Sequence, residues 1–205
     1  MPDAAPSLVV GLGNPGREYE ATPHNLGFRV VDRLAEQAGA RIARPEARSL
    51  TAHTTLEGRP VVLAKPLTYM NLSGQAVREL LDKAEPAFWL VVSDELNLPL
   101  GTLRIRERGS AGGHHGLESI IEWVDSQDFV RVRMGVGPEH PLEDAADYLL
   151  RPFPRAREEQ VEELVERAAE AVRTILRDGP AKAMNVFNRR PDNGPESDNV
   201  PDSSA

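Results

Sequence analysis

Hydrophobic and polar positions divide the chain into two kinds of segment, short apolar runs and longer stretches in which apolar residues recur every three to four positions. The short runs are bounded by glycine or proline and predict strands, at 8–10, 49–56, 60–64, 88–92, 102–106 and 129–136. The longer stretches predict amphipathic helices at about 24–38, 73–83, 116–124, 143–150 and 155–177, with one or two further turns at 181–188. Strands that alternate with helices predict an α/β fold.

Two strand predictions are more specific. The runs 49–56 and 60–64 are separated by a short turn that contains Gly58, so they predict a hairpin. The run 88–92 is the most apolar in the chain and predicts a central strand buried on both faces, with Asp94 directly after it.

Composition is that of an ordinary globular protein of 205 residues, with 40% hydrophobic and 27% charged residues and no cysteine. The predicted organisation is one domain over 1–188 and a polar tail over 189–205, which we expect to be disordered. The first six residues lack the features of a secretory signal, and no apolar run is long enough to span a membrane. We therefore expect a cytoplasmic protein.

The net charge and the local distribution of charge point to different functions. The net charge of −8 argues against a general nucleic-acid binder. Arginines nevertheless cluster at positions 104, 106, 108, 131 and 133. They are interpreted either as a solvated strand face or as a stripe that binds phosphate groups, and the sequence leaves both open.

A glycine-rich loop follows the first strand, and Gly11, Gly13 and Gly16 match the dinucleotide-binding pattern G-x-G-x-x-G. That pattern needs a helix that begins inside the loop, whereas helical periodicity here begins near Leu26. A nicotinamide-dependent enzyme is therefore a disfavoured alternative.

Four polar residues are predicted to meet at one edge of the sheet, because each lies at a strand end or a helix start: Asn14, His24, Asn71 and Asp94. A carboxylate bonded to one imidazole nitrogen leaves the other nitrogen as a base, and no serine or cysteine nucleophile stands out, so the base would act on water. Asparagine amides would donate to a developing oxyanion. Taken singly, these residues are equally typical of a surface histidine, a turn and two caps.

Adjacent histidines at 114 and 115 raise the question of a metal site. Neighbouring side chains rarely converge, and no cysteine or nearby acid completes a ligand set, so we expect no metal site.

Several motifs in order resemble those of bacterial peptidyl-tRNA hydrolase over about 7–188. They are VVGLGNPG at 9–16, Tyr19, TPHN at 22–25 with Gly27, KPLTYMNLSG at 65–74, SDELNLP at 93–99 with Gly101, GGH at 112–114 with Gly116 and Leu117, and RVRMGVG at 131–137.

The resemblance implies a single α/β domain with a twisted mixed β-sheet flanked by helices. It implies a monomer that needs no metal, cofactor or obligate protein partner. The implied reaction is hydrolysis of the ester between a peptide and the 3′ ribose of tRNA, which recycles tRNA from stalled translation.

Family roles carry over to matching positions of this chain. The resemblance implies His24 as the catalytic base, Asp94 as the group that orients it, and Asn14 and Asn71 as substrate-positioning residues. It further implies Tyr19 and Met70 on the peptide side of the groove, and Arg106 and Arg133 as contacts to tRNA phosphates.

Two positions depart from the family pattern. His115 stands where the family usually has an asparagine that helps to place the water or the tRNA 3′ end, and Pro23 stands where arginine is common. A neutral histidine also offers one donor and one acceptor, so His115 is retained as a substrate-binding candidate. Because relatives with this fold include noncatalytic RNA-binding factors, such a factor is the second hypothesis.

Overall fold

A computed structural model describes residues 5–138 and 140–189 of the chain. Its centre is a seven-stranded mixed sheet in the order β2-β3-β4-β1-β5-β7-β6. The strands are β1 (Ser7–Gly11), β2 (Arg44–Glu46), β3 (Ser49–Leu56), β4 (Arg59–Pro66), β5 (Phe88–Pro99), β6 (Leu103–Arg106) and β7 (Val130–Gly137). The pairs β1–β4, β1–β5 and β5–β7 are parallel, and the other three are antiparallel.

Within the described ranges, six α-helices accompany the sheet: α1 (Leu26–Gln37), α2 (Ser73–Ala84), α3 (His115–Val124), α4 (Ala145–Leu150), α5 (Glu158–Asp178) and α6 (Pro180–Phe187). Side chains of α1, α5 and α6 share one buried cluster with one face of the sheet, and side chains of α2 and α3 share a second cluster with the other face. The predicted single α/β domain with a mixed sheet flanked by helices is confirmed. Among the described residues, no helix is both long and apolar enough to cross a membrane.

The strand predictions differ from the structure in two places. The 49–56 and 60–64 hairpin is confirmed as the antiparallel pair β3–β4. The strand predicted at 88–92 continues through Asp94 to Pro99, so Asp94 lies within β5 instead of directly after it. The short edge strand β2 was not predicted. Residues 190–205, which contain most of the predicted tail, lie outside the described residues, so its disorder stays a prediction.

Two glycines, Gly11 at the end of β1 and Gly27 in α1, allow α1 to pack closely against the sheet. A Cβ atom on Gly11 would lie 2.1 Å from the carbonyl oxygen of Gly27, and one on Gly27 would lie 2.4 Å from that of Val92. Only glycine permits this approach of backbone to backbone. As a result, the short 3₁₀ turn Pro23–Asn25 that precedes α1 is held against β5, next to the segment that carries Asp94.

Candidate active site

A groove of about 850 Å³ opens at the edge of the sheet where the parallel strands β1 and β5 run out. Strand β5 continues past its last pairing with β1, at Val92, so its next residues project over the mouth of the groove. The candidate residues that line the groove are Asn14, Tyr19, His24, Met70, Asn71, Asp94 and His115. The predicted convergence of polar residues at one sheet edge is thus present.

His24 and Asp94 are in direct contact within the groove. The Nδ1 atom of His24 lies 3.0 Å from one carboxylate oxygen of Asp94 and 3.1 Å from the other, and both residues are buried. An ionised carboxylate only accepts hydrogen bonds, so the Nδ1 atom of His24 carries the proton and donates a hydrogen bond to Asp94. The Nε2 atom of His24 is therefore left with a free lone pair, as a general base requires.

His114 is a second imidazole on the same carboxylate. Its Nε2 atom lies 2.9 Å from the Oδ1 atom of Asp94. Its Nδ1 atom accepts hydrogen bonds from the backbone N–H groups of Gly116 and Leu117, at 3.1 and 3.3 Å, and so caps α3. These bonds fix the Nε2–H tautomer, so His114 donates to Asp94 while it holds the start of the helix.

The carboxylate of Asp94 stays ionised in spite of its environment. Burial alone would raise its pKa, but the charge interaction and hydrogen bond with His114, together with the hydrogen bond from His24, outweigh burial and hold the pKa well below its usual range. Asp94 therefore acts as an acceptor and not as a proton donor.

The cluster of His24, Asp94 and His114 is also compact enough to suggest a metal ion, since one ligand atom from each lies within 4.8 Å of the others. The tautomers argue against that use. A metal bound to the Nε2 atom of His114 would displace its proton while the Nδ1 atom still accepts from the helix backbone, which a neutral imidazole does not allow. The donor set fits a hydrogen-bonded triad better than a metal site.

Asn14 also lines the groove and is held there by three hydrogen bonds. Its backbone N–H donates to the Oδ1 atom of Asn25 at 2.9 Å, and the Nδ2 atom of Asn25 donates back to the Asn14 carbonyl at the same distance. Its side-chain oxygen accepts from the backbone N–H of Met70 at 2.8 Å. Because that oxygen is occupied, Asn14 offers its amide N–H group to a ligand in the groove.

Three further candidates surround the polar centre. Asn71 and Tyr19 line the groove, and Asn71 does not cap α2, whose N-cap is Leu72. His115 also lines the groove, with 74% of its side chain exposed, and its Nδ1 atom lies 3.0 Å from a carboxylate oxygen of Glu118 one turn further along α3. Helix α4 contributes Leu149 and Leu150, so apolar groups also line the groove.

Four arginines share one face of the β6–β7 pair, which we call the arginine face: Arg104, Arg106, Arg131 and Arg133. Arg104 lies opposite Arg133, and Arg106 lies opposite Arg131, in the antiparallel register. Their sequence neighbours on both strands point to the other face, into the core. Directly opposed like charges destabilise a strand pair, so such an arrangement is typical of a surface that receives anions.

The two arginines of β7 are engaged within the protein. The fully buried guanidinium of Arg131 donates to the carbonyls of Gly109, Ser110 and Gln127. Burial, followed by the like charge of Arg133, lowers the pKa of Arg131 to about 10, so it remains charged at neutral pH.

Arg133 forms an ion pair with Glu95 at 3.0 Å and donates to the carbonyl of Ser110. Arg133 therefore holds the second glycine-rich loop, residues 109–113 before α3, and also remains partly exposed at the surface. Arg106, in contrast, is exposed and makes no ion pair with any residue in the described ranges.

Comparison with known proteins identifies the family. The profile of the family described as "Peptidyl-tRNA hydrolase" matches residues 8–195. The peptidyl-tRNA hydrolase of Koribacter versatilis is 51% identical over 93% of this chain and 96% of its own length, and that of Solibacter usitatus is 48% identical over 89% and 94%. The crystal structure of peptidyl-tRNA hydrolase from Acinetobacter baumannii superposes with a TM-score of 0.83 at 32% identity, covering 92% of this chain and 97% of that one.

The chain belongs to the peptidyl-tRNA hydrolase family. The resemblance inferred from the motifs is therefore confirmed.

Two residues of this peptidyl-tRNA hydrolase site were not among the sequence candidates. In the sequence, His114 belongs to the GGH motif and to a possible metal pair with His115, and Asn25 belongs to the TPHN motif, but these patterns assign neither residue a role in the site. Both sit directly beside a candidate in the sequence or in a motif, but their partners, Asp94 and the Asn14 backbone, lie 20 and 11 residues away. The sequence signal that could have identified His114 is the GGH motif, in which two glycines allow the loop to bring the histidine to a distant partner.

Proposed function

We propose that this chain hydrolyses the ester between a peptide and the 3′ ribose of tRNA, with His24 as the general base. The observation that carries the assignment is the buried His24–Asp94 contact at the mouth of the groove, which leaves the Nε2 atom of His24 free to take a proton. Family membership supplies the substrate class.

The reaction follows from these positions. His24 removes a proton from water as the water oxygen attacks the ester carbonyl carbon, and the Asn14 amide donates to the oxygen that becomes negative. The tetrahedral intermediate then collapses, the bond to the 3′ oxygen breaks, and the imidazolium returns its proton to that oxygen. The products are a free peptide carboxylate and tRNA with its 3′ hydroxyl, so no cofactor is required.

The groove also supports a preference for blocked amino groups. With the Asn14 side-chain oxygen already bound to Met70, the wall presents a donor, which suits a peptide carbonyl and not a charged amine. We propose that Asn71, Tyr19 and Met70 position the peptide side of the substrate. His115 lies at the entrance, where its exposed ring would contact the tRNA 3′ end.

The arginine face supports the tRNA side of the proposal. We propose that Arg106 and Arg133 contact phosphates of the acceptor stem, and Arg104, in the same cross-strand array, joins them as a further candidate. Of these two, Arg106 is the more accessible, whereas Arg133 would contact phosphate while it remains paired with Glu95.

We further propose that the enzyme acts as a cytoplasmic monomer without an obligate protein partner. tRNA is charged and used in the cytoplasm. The catalytic groups, His24, Asp94 and Asn14, all come from one chain, so the site is complete without a second copy.

The first prediction tests the catalytic role of His24. Replacing His24→Ala removes the base, so turnover of an N-acylated aminoacyl-tRNA should fall by about 10²- to 10⁴-fold. His53→Ala is the matched control, because His53 is an exposed histidine of β3 outside the groove. Initial rates on N-acetyl-aminoacyl-tRNA, with thermal unfolding to verify folding, make the measurement.

Near wild-type turnover in a folded His24→Ala protein would reject the assignment. The assay also separates the second hypothesis: a noncatalytic RNA-binding factor would bind the substrate but show no turnover even in the wild type. Equal rates on blocked and free aminoacyl-tRNA would contradict the role given to Asn14.

A further inference from the structure

The outer part of the arginine face carries unbalanced positive charge. The side chains of Arg104, Arg106 and the next arginine, Arg108, make no hydrogen bond or ion pair with any residue of the described part of the chain. The acid that contacts this face, Glu95, is already paired with Arg133. The face therefore has the charge of an anion-binding surface in the absence of RNA.

Asn188 fixes the place where the chain leaves the domain. Its Oδ1 atom accepts from the backbone N–H of Ile105 at 2.7 Å, and its Nδ2 atom donates to the Ile105 carbonyl at 3.1 Å. Asn188 thus pairs with the outer edge of β6 at the residue that lies between Arg104 and Arg106. The segment 190–205 consequently starts one strand's width from the arginine face.

That segment has the complementary charge. Residues 190–205 contain one arginine and four acids, Asp192, Glu196, Asp198 and Asp202, which gives a net charge of −3. Asp192 is four residues beyond Asn188, so extended chain places it within about 14 Å of the anchor, and the later acids reach farther. Tethering at such a distance corresponds to an effective concentration in the millimolar range, enough to populate a weak electrostatic contact.

We propose that the acidic segment 190–205 docks on the arginine face of its own chain and competes there with tRNA phosphates. The docking stands on the charges and the Asn188 anchor, and the competition rests on the proposed function. In this arrangement the segment lowers affinity for nonspecific RNA, and a substrate whose acceptor end also fills the groove displaces it. The exchange replaces carboxylates by phosphates on the same guanidinium groups.

A spin label tests the docking without RNA. Because the chain has no cysteine, Ser203→Cys provides a single site for a nitroxide beside Asp202. We expect the label to broaden amide signals of Leu103–Arg106 at low salt, and the signals to recover at about 0.5 M salt, where the Debye length is only a few ångströms. Replacing the four segment acids by their amides should also restore the signals.

The control replaces four exposed acids of the domain that make no ion pair with described residues, Glu85, Glu122, Glu159 and Glu163, by glutamine. It changes net charge equally and should leave the broadening intact. Absence of broadening, or broadening that survives neutralisation of the segment, overturns the proposal. Broadening of an unlabelled, ¹⁵N-enriched chain by a labelled second copy would assign the contact to another molecule and also overturn it.

RNA binding tests the competition. At about 50 mM salt, the variant with a neutral segment should bind a tRNA acceptor-stem hairpin about three- to tenfold more tightly than the control variant, with a steeper dependence on salt. Equal affinities of the two variants overturn the competition. If no variant binds the hairpin, the proposed function fails, while the spin-label result still decides the docking.

Discussion

One carboxylate oxygen of Asp94 organises the proposed catalytic centre. Its Oδ1 atom accepts from the Nδ1 atom of His24 at 3.0 Å and from the Nε2 atom of His114 at 2.9 Å. The two histidines present opposite nitrogens to the same acceptor, so one keeps a free Nε2 atom for water and the other keeps a free Nδ1 atom for the backbone of α3. The carboxylate is therefore shared between the proposed general base, His24, and the residue that caps α3, His114.

The second prediction separates the two contacts of His114. Asparagine is a good helix N-cap but is too short to reach Asp94, so His114→Asn should keep the cap and lose the bond. A hydrogen bond to a charged group contributes about 1.5–3 kcal/mol, so kcat/KM should fall about ten- to hundredfold.

His114→Ala, which loses both contacts, serves as the comparison. It should reproduce the kinetic loss of His114→Asn and add a loss of stability of about 1 kcal/mol, measured by urea unfolding. If His114→Asn leaves kcat/KM unchanged while His114→Ala lowers stability, His114 is only a cap and the role given to its contact with Asp94 is wrong.

Sequence reasoning could find His24 and Asp94 because each follows a local signal, a helix start and an apolar strand. It could not find the position of His114. That residue reaches Asp94 only because Gly112 and Gly113 adopt left-handed backbone angles, with φ of 62° and 82°, and turn the loop back toward β5. The pairing of Arg133 with Glu95 is equally nonlocal: alternation predicted the face of Arg133, but not its partner.

At the scale of elements, the sheet shows what pattern can and cannot predict. The buried strands β1, β4 and β5 have strong apolar signals. Strand β2 has none, since it consists of Arg44, Pro45 and Glu46 at the edge of the sheet, and it exists because β3 offers it a partner. Proline is tolerated there because an edge strand need not donate on both sides. Tertiary pairing, and not local preference, decides this element.

Glu46 is the residue that ties β2 to its neighbours, and it carries the third prediction. Burial alone would raise its pKa, but hydrogen bonds from His53, Lys83 and Thr51 outweigh burial and lower the pKa to about 2. The folded pKa lies below the unfolded value, so the stabilisation is present above pH 4.5 and is lost as pH falls towards 2.

Glu46→Gln should therefore reduce the free energy of unfolding by about 1–2 kcal/mol at pH 7, a figure discounted because His53 and Lys83 are half exposed. The difference from wild type should shrink at pH 3. Urea titrations at the two pH values measure it. Glu85→Gln, an exposed acid with no ion pair to the described residues, should change stability by less than about 0.5 kcal/mol. A difference that is equal at both pH values would contradict the ionic origin.

At the scale of the whole molecule, an acidic protein accommodates a polyanionic substrate by separating its charges. Two acids of α5, which does not line the groove, pair with arginines of α1: Glu162 with Arg29 and Arg33, and Glu166 with Arg33. The arginine face lies on the other side of the sheet from α1 and α5, at the edge formed by β6 and β7. Net charge alone, at −8, argues against RNA binding, whereas the alternating arginines are equally typical of a solvated strand face and of a phosphate-binding stripe, and the structure places them on one face.

The last prediction measures that separation through salt. Arg106→Gln removes an exposed guanidinium that contacts no described acid, so the slope of log K against log salt for an acceptor-stem RNA should become shallower by about 0.9, the value for one phosphate contact. Arg59 is an exposed arginine at the far end of β4, so Arg59→Gln should leave the slope unchanged.

Arg133→Gln should reduce the slope similarly but also slow turnover, because it releases Glu95 and the loop that carries His114. If all three variants keep the wild-type slope, RNA binds to another surface and the arginine face has no role in binding it.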